Sequence, residues 1–237
     1  MSGGDCAPTL FPQGIYGVIF DCDGVMIDSR EANSIFYNKV LACLRLPPMT
    51  PEQEAYSFMA TAMQALERMV PPALWPRMHE VLRGEVAYAR DILPLLRLRP
   101  GFRAFIGDLR ARGVRMAVHT NRTLAGMQSV LDIFSLPSYF DAVVAADTAA
   151  PKPSPDGVRR ICASWGCVPE RVLFVGDSVH DKAAAEGAGA VFAAMNGGGL
   201  DGAIAVDSFS ALHDAIADAL PALAARQEGG AKGPEGA

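Results

Sequence analysis

Short apolar runs that alternate with amphipathic stretches constrain this chain more than any other feature of its sequence. A first run at residues 15–21 is unbroken and short, which is typical of a buried strand. From residue 100 onward such runs alternate with stretches of helical period. The predicted strands are 114–120, 142–146, 171–176, 190–194 and 204–206, and the predicted helices are 101–112, 123–134, 154–165, 180–187 and 209–223. Strands that alternate with helices in this way form a parallel sheet covered on both faces.

A long block between the first and second predicted strands shows only helical periodicity. Ala32, Phe36 and Val40 mark one face of a first helix that begins near Ser29. A second apolar stripe covers residues 55–69 and a third helical segment covers 73–90, with prolines between them. We therefore predict an α/β fold: a Rossmann-like parallel sheet flanked by helices, with an inserted all-helical cap domain. The expected boundaries are 1–28 and 100–226 for the core, 29–99 for the cap and 227–237 for a polar, disordered tail.

Composition excludes several classes of function. The chain has 237 residues, of which 50% are hydrophobic, and this is enough to form a full core. Its formal net charge of -5 disfavours binding to phosphate-rich surfaces. We therefore expect neither nucleic acid nor membrane as a partner. The five cysteines are scattered and odd in number, and no secretory leader or membrane-spanning run is evident, so we expect a cytoplasmic protein.

Two carboxylates end the first predicted strand, in the stretch FDCDG. Asp21 and Asp23 are separated by one residue, so on an extended chain their side chains share one face. Like charges this close are unfavourable unless one is protonated or a cation lies between them. The pair therefore indicates a site.

Other polar side chains follow the neighbouring predicted strands. Carboxyl ends of parallel strands meet at one edge of the sheet, where sites form. The residues at this edge are Thr120, Asn121, Lys152, Asp177 and Asp181. A carboxylate can attack phosphorus, and a divalent cation such as Mg²⁺ relieves the repulsion between the two anions. The chemistry assigns Mg²⁺ to Asp21 and Asp177, proton transfer to Asp23, and phosphoryl charge neutralisation to Lys152 and the Thr120 hydroxyl.

Taken in order, these residues resemble the four motifs of the haloacid dehalogenase superfamily, in its phosphatase branch. The matching stretches are DCDG from Asp21, Thr120-Asn121, KPSP from Lys152 and GDSVHD from Gly176. The resemblance extends over about residues 15–225, and the helical insertion is similar to the small cap of phosphoglycolate phosphatases and β-phosphoglucomutases. Four motifs in order are far more specific than any one of them.

The resemblance implies an aspartyl-phosphate mechanism that acts on a small phosphorylated metabolite with Mg²⁺ as the cofactor. It makes Asp21 the nucleophile and Asp23 the acid and base, with Thr120 and Lys152 completing the catalytic set. The phosphate-binding residues that it implies are Gly24, Thr120, Asn121 and Lys152. The metal ligands that it implies are Asp21, the Asp23 carbonyl, Asp177 and Asp181, the last directly or through water.

Two other functions stay open at this point. A phosphomutase would share the aspartyl phosphate, but β-phosphoglucomutases usually carry an acid in place of Gly176 and a histidine early in the first cap helix, where residues 29–40 have none. A non-catalytic phospho-acceptor module would need neither Asp23 nor a cap. The leaving-group contacts are not singled out by any spacing. The polar cap candidates are Arg30, Asn33, Arg68, Arg77, His79, Arg83 and Arg90. His180 is expected to be exposed, and His119 to be packed on the opposite face from Thr120.

Overall fold

The computed structural model describes residues 10–195 and 199–223. Its strands are β1 (Gly17–Phe20), β2 (Ile27–Asp28), β3 (Arg97–Leu98), β4 (Arg115–His119), β5 (Ala142–Val144), β6 (Val172–Gly176), β7 (Val191–Met195) and β8 (Ile204–Val206). Its α-helices are α1 (Arg30–Cys43), α2 (Pro51–Met59), α3 (Ala62–Met69), α4 (Trp75–Glu80), α5 (Tyr88–Asp91), α6 (Phe102–Ala111), α7 (Leu124–Ile133), α8 (Asp156–Trp165), α9 (Val179–Ala188) and α10 (Phe209–Ile216). Single 3₁₀ turns cover Pro72–Leu74, Leu93–Leu95, Pro137–Tyr139, Pro169–Arg171 and Ala217–Ala219, and Val81–Glu85 forms a π-helical turn.

Six strands form the main sheet in the order β5-β4-β1-β6-β7-β8, and all of its pairings are parallel. This confirms the predicted α/β fold. All residues of β1 and β6 are buried, because helices cover both faces of the sheet and continuous apolar runs suit such strands. β1 lies between β4 and β6, so the chain segments that follow these three strands are neighbours.

The segment of residues 29–99, here called the cap segment, differs in detail from its prediction. The stripe at residues 55–69 forms two helices rather than one, because the chain is extended at Ala60 and Thr61. Thr50 and Thr61 each begin a helix with a capping box, closed by Gln53 and Gln64 respectively. The third predicted helix, at residues 73–90, is likewise interrupted and contains α4, the π-helical turn and α5.

The two connections between the cap segment and the sheet pair with each other. Strands β2 and β3 are antiparallel, with Ile27 opposite Leu98 and Asp28 opposite Arg97. The end of the cap segment was predicted to be helical, so this short ribbon is a correction. The ribbon brings both connections together beside the end of β1. The proposed boundaries at residues 28 and 100 stay a prediction.

The C-terminal part of the chain ends its helix earlier than predicted. α10 stops at Ile216, a 3₁₀ turn follows, and Leu223 is 60% exposed rather than on a buried helical face. The predicted disordered tail lies outside the described residues. Across the described ranges, no helix combines the length and apolarity that a membrane crossing requires.

Candidate active site

The polar residues predicted from the strand ends meet at one edge of the sheet. Asp21 directly follows β1, and its backbone N–H donates to the Val175 carbonyl of the neighbouring strand at 2.9 Å. Thr120 follows β4, and Asp177 follows β6. Lys152 lies in the loop before α8 and is also buried. These four residues therefore lie at one edge of the sheet, beyond the ends of β1, β4 and β6.

A buried lysine joins two of the predicted carboxylates. Nζ of Lys152 lies 2.6 Å from Oδ1 of Asp21 and 2.6 Å from Oδ1 of Asp181. Burial alone would lower the pKa of Lys152, but the two carboxylates outweigh burial and raise it. Burial and the charge of Asp181 raise the pKa of Asp21 well above its ordinary range, although Lys152 opposes them. The lysine thus holds a positive charge against the predicted nucleophile.

Asp181 is fixed by the start of α9. Its Oδ2 accepts hydrogen bonds from Ser178 Oγ at 2.6 Å, from Ser178 N at 3.0 Å and from Asp177 N at 3.2 Å. Ser178 in turn caps α9, which makes a reciprocal capping box. Both oxygens of Asp181 therefore have partners, and the residue is fully buried. Gly176 leaves room for it, since a Cβ atom there would lie 2.4 Å from Cβ of Asp181.

Three carboxylates form a cluster that fits a divalent cation. Asp21, Asp177 and Asp181 each offer one carboxylate oxygen within 4.8 Å of the others. Burial and the charge of Asp181 raise the pKa of Asp177 to about 7, which shows how unfavourable this crowding is without a cation. Oxygen donors of this kind suit Mg²⁺. Gly24 is required beside the cluster, because at its φ of +77° a Cβ atom would lie 1.9 Å from Oδ2 of Asp177.

Asp23 is paired with an arginine that the sequence analysis did not single out. Nε of Arg122 donates to Oδ2 of Asp23 at 2.7 Å, and Nη2 donates to Oδ1 at 2.6 Å. Nη1 of Arg122 also donates to the Tyr88 hydroxyl of the cap segment. Burial would raise the pKa of Asp23, but Arg122 outweighs it and, with hydrogen bonds from Ser29 and Asn33, lowers the pKa. The position of Arg122 directly after Thr120-Asn121 was the available signal.

Asn121 and Thr120 make contacts within the protein. Oδ1 of Asn121 accepts from the Lys152 backbone N–H at 2.9 Å, and its Nδ2 donates to the Lys152 carbonyl at 3.2 Å and to the Met59 carbonyl at 3.0 Å. Asn121 thus anchors both the Lys152 loop and the end of α2. Oγ1 of Thr120 accepts from the Arg122 backbone N–H at 3.1 Å. The phosphate contacts expected of Gly24, Thr120 and Asn121 stay a prediction.

The two histidines near the motifs have different outcomes. His180 was predicted to be exposed, but it is half-buried, and its Nδ1 lies 2.9 Å from the Met59 carbonyl. The prediction was wrong because the cap segment covers the start of α9. His119 is buried, as predicted, and packs edge-on against Phe174. Burial lowers its pKa to about 3, so this histidine is neutral.

A cavity of about 410 Å³ lies between these residues and the cap segment. Asp21, Asp23, Lys152 and Arg122 line its core side. The lining residues contributed by the cap segment are Asn33, Phe36, Tyr37, Ser57, Phe58, Met59, Ala60, Thr61, Ala62, Met63 and Tyr88. Of the polar cap candidates, only Asn33 belongs to this lining.

The sequence of this chain matches a known protein family. The profile of the haloacid dehalogenase-like hydrolases matches residues 18–195, which include all four motifs. The chain belongs to this family. The predicted resemblance is therefore confirmed.

Similar proteins include two phosphoglycolate phosphatases. The one from Cereibacter sphaeroides is 34% identical over 189 residues, which cover 77% of this chain and 85% of the relative. The one from Salmonella typhimurium is 27% identical, covering 89% of this chain and 93% of the relative. These relatives identify the chain as a phosphatase of the family.

Solved structures share the fold. A haloacid dehalogenase superfamily hydrolase from Geobacter sulfurreducens has a TM-score of 0.70 and 33% identity, covering 86% of this chain and 98% of its own. CbbY from Rhodobacter sphaeroides, in complex with xylulose-(1,5)bisphosphate, has a TM-score of 0.71 and 24% identity, covering 85% and 99%. The second likeness shows the fold alone.

Proposed function

We propose that this phosphatase hydrolyses a small phosphomonoester with Mg²⁺ through an aspartyl phosphate on Asp21. The observation that carries the proposal is the contact of Asp21 with the buried Lys152, beside a three-carboxylate cluster. A carboxylate nucleophile and a phosphate dianion repel, and this arrangement supplies the positive charge that lowers the repulsion. The phosphoglycolate phosphatase relatives support a small phosphorylated substrate.

The residues present fit a magnesium ion. Carboxylates of Asp21, Asp177 and Asp181 would hold it, together with the Asp23 carbonyl. When bound, Mg²⁺ would neutralise charge on the transferring phosphoryl group. Lys152 shares Asp181 with this cluster, so its ammonium group and the cation would act on the same small region.

Side chains of the site account for the proton transfers and the charge in both chemical steps. Asp21 attacks phosphorus, the bond from phosphorus to the ester oxygen breaks, and Asp23 gives a proton to the leaving oxygen. Because Arg122 lowers the pKa of Asp23, this carboxyl carries the proton only when its two-point contact with Arg122 opens. Water then attacks the phosphoryl group on Asp21, the acyl–phosphate bond breaks, and Asp23 takes the proton. Lys152 and Thr120 bind the phosphoryl oxygens in both steps. Phosphate and a free alcohol are the products.

Phosphate release in a panel of phosphomonoesters tests the proposal. Activity with Mg²⁺ should disappear with a chelator, and Asp21→Asn should lose turnover while it keeps the parental melting behaviour. Asp214→Asn is the matched control, because that carboxylate is 82% exposed and remote from the motifs. Turnover by Asp21→Asn at the parental rate would refute the mechanism. Phosphoryl transfer to a second sugar hydroxyl with little free phosphate would identify a mutase instead.

We also propose that the protein works in the cytoplasm. Cys22, Cys43, Cys162 and Cys167 are free thiols in the described part of the chain. A reducing compartment maintains thiols in this state.

A further inference from the structure

The cap side of the cavity has an apolar and aromatic wall, here called the leaving-group chamber. It consists of Phe36, Tyr37, Phe58, Met59, Met63 and Tyr88. The Phe36 ring packs edge-on against Tyr37, with centroids 5.1 Å apart, and against Tyr88, with centroids 5.7 Å apart. Phe36 and Tyr37 are buried, so their positions are fixed by packing.

Positive charge in the cavity is already engaged. Among the described residues that line it, the basic ones are Lys152 and Arg122. Lys152 is held between Asp21 and Asp181, and Arg122 makes a two-point contact with Asp23. Asp147 adds a further carboxylate to the lining. A second anionic group on the substrate would therefore have to take a cation from one of these acids.

The arginines of the cap segment do not add positive charge to the lining of the cavity. None of them lies in the described lining of the cavity. Arg30 lies over the Phe58 ring at 4.3 Å, and Arg68 over the Tyr56 ring at 4.2 Å. Arg77 pairs with Glu80 and Glu85, and Arg90 pairs with Asp91. All four side chains are exposed. Arg30, which stacks on the wall residue Phe58, also lies near enough to Asp177 to oppose the rise in the pKa of that carboxyl.

We infer that the substrate's leaving group is an uncharged alcohol that carries an aromatic ring or an apolar body of similar size. This inference rests on the proposed function and names the substrate class of the same site. An apolar group gains from leaving water in the chamber, whereas an unpaired carboxylate there loses its hydration. The cavity of about 410 Å³, which must also hold the phosphoryl group beside Asp21, falls in the range of roughly 300–1,000 Å³ that encloses drug-sized ligands.

Three esters with the same CH₂–O–phosphate link separate the possibilities. Benzyl phosphate, ethyl phosphate and 2-phosphoglycolate differ only in the phenyl, methyl or carboxylate group on that carbon. We expect kcat/KM for benzyl phosphate to exceed both of the others by at least about tenfold. Benzylphosphonate and phosphonoacetate, which cannot be hydrolysed in this way, should show the same order as competitive inhibitors, independently of leaving-group reactivity.

A substitution in the chamber tests the cause of that order. Met63→Lys places a cation in the apolar wall, so it should lower kcat/KM for benzyl phosphate and raise it for 2-phosphoglycolate, each by about tenfold. Met63→Leu keeps the volume and apolar character and is the matched control. It should retain the parental order, and its melting curve shows whether the site tolerates change.

The outcomes distinguish the two proposals. Preference for benzyl phosphate that Met63→Lys removes and Met63→Leu retains supports the chamber as the determinant. Preference for 2-phosphoglycolate, with phosphonoacetate the stronger inhibitor, overturns this inference and leaves the proposed function standing. No phosphate release from any ester, p-nitrophenyl phosphate included, overturns the proposed function and this inference with it.

Discussion

The core side and the cap side of the cavity differ in chemical character. On the core side, Lys152 binds Asp21 and Asp181, and Arg122 binds Asp23, so buried charges there are paired. The cap side is mainly apolar and aromatic. Charged groups must be held rigidly to help in phosphoryl transfer, and ends of central strands provide that rigidity. The cap side is built from short helices and turns, which can vary without disturbing the core.

The largest predicted effect is on kcat and concerns Asp23, on the core side of the cavity. Asp23→Asn cannot exchange a proton, so kcat for alkyl phosphates should fall by about 10³-fold. Aryl phosphates such as p-nitrophenyl phosphate leave with little protonation, so their loss should be much smaller. The measurement is kcat for both ester types. Equal losses for both types would remove Asp23 from the acid role.

The next effect is on stability and concerns the core-side pair of Arg122 and Asp23, whose arginine also donates to Tyr88 of the cap segment. The side chains of Arg122 and Asp23 are only 12% and 19% exposed. Arg122→Met leaves Asp23 buried without its partner, which should lower the free energy of unfolding by about 3 kcal/mol. Denaturant unfolding measures this loss.

A double-mutant cycle provides the control for Arg122. Adding Asp23→Asn to Arg122→Met removes the uncompensated charge and should restore part of the stability. Tyr88→Phe removes only the hydroxyl that accepts from Arg122, so its cost should be smaller. Strictly additive losses in the cycle would show that the pair contributes no coupling.

The core side could be predicted from sequence because each of its motifs is local. Asp21, Thr120 and Asp177 directly follow short buried strands, Lys152 lies in the loop after β5, and parallel strands bring such positions together whatever lies between them. Asp21, Thr120, Lys152 and Asp177 needed only that rule. The strand rule places Arg122 near Asp23 but does not pair the two, since the contact depends on both side-chain conformations.

The cap side resisted prediction for a different reason. The apolar stripe of residues 55–69 continues through the break at Ala60, so periodicity alone indicated one helix. The two threonine–glutamine capping boxes were the local signals that two helices begin in this stretch. His180 lies in the core, but its burial depends on where Met59 is placed by these breaks.

A smaller predicted effect is on the pH dependence of folding stability. It concerns His119, on the face of β4 opposite the charged site. His119 is buried with its pKa lowered to about 3 from an ordinary value of 6.5 by burial, with Lys152 adding to the effect. The unfolded chain therefore binds a proton first as the pH falls, so stability is lost from about pH 6.5 downward. Between pH 7 and pH 5 the loss should be about 2 kcal/mol.

His119→Gln tests this assignment, because glutamine does not titrate. Unfolding free energies at pH 7 and pH 5 should differ by about 2 kcal/mol less in the variant than in the parent. Comparing the difference within each protein cancels any constant cost of the substitution. A parental pH dependence in the variant would show that other groups cause the acid sensitivity.

The smallest effect concerns the contact that joins the two sides directly. The Met59 carbonyl, at the end of α2, accepts from Asn121 Nδ2 at 3.0 Å and lies 2.9 Å from His180 Nδ1, which must donate because a carbonyl oxygen only accepts. His180→Ala removes one donor and leaves Asn121 in place. A hydrogen bond of this kind contributes about 1 kcal/mol, so the position of the cap segment over the site in this structure should become about fivefold less favoured relative to positions that expose the site. The cavity is enclosed between the cap segment and the core in this position, so KM should rise by up to that factor while kcat changes little, since no group at Asp21 is altered. His79→Ala is the matched control, because that histidine is exposed on the cap segment. Equal KM values for the two variants would show that the Met59 contact does not hold the cap segment over the site.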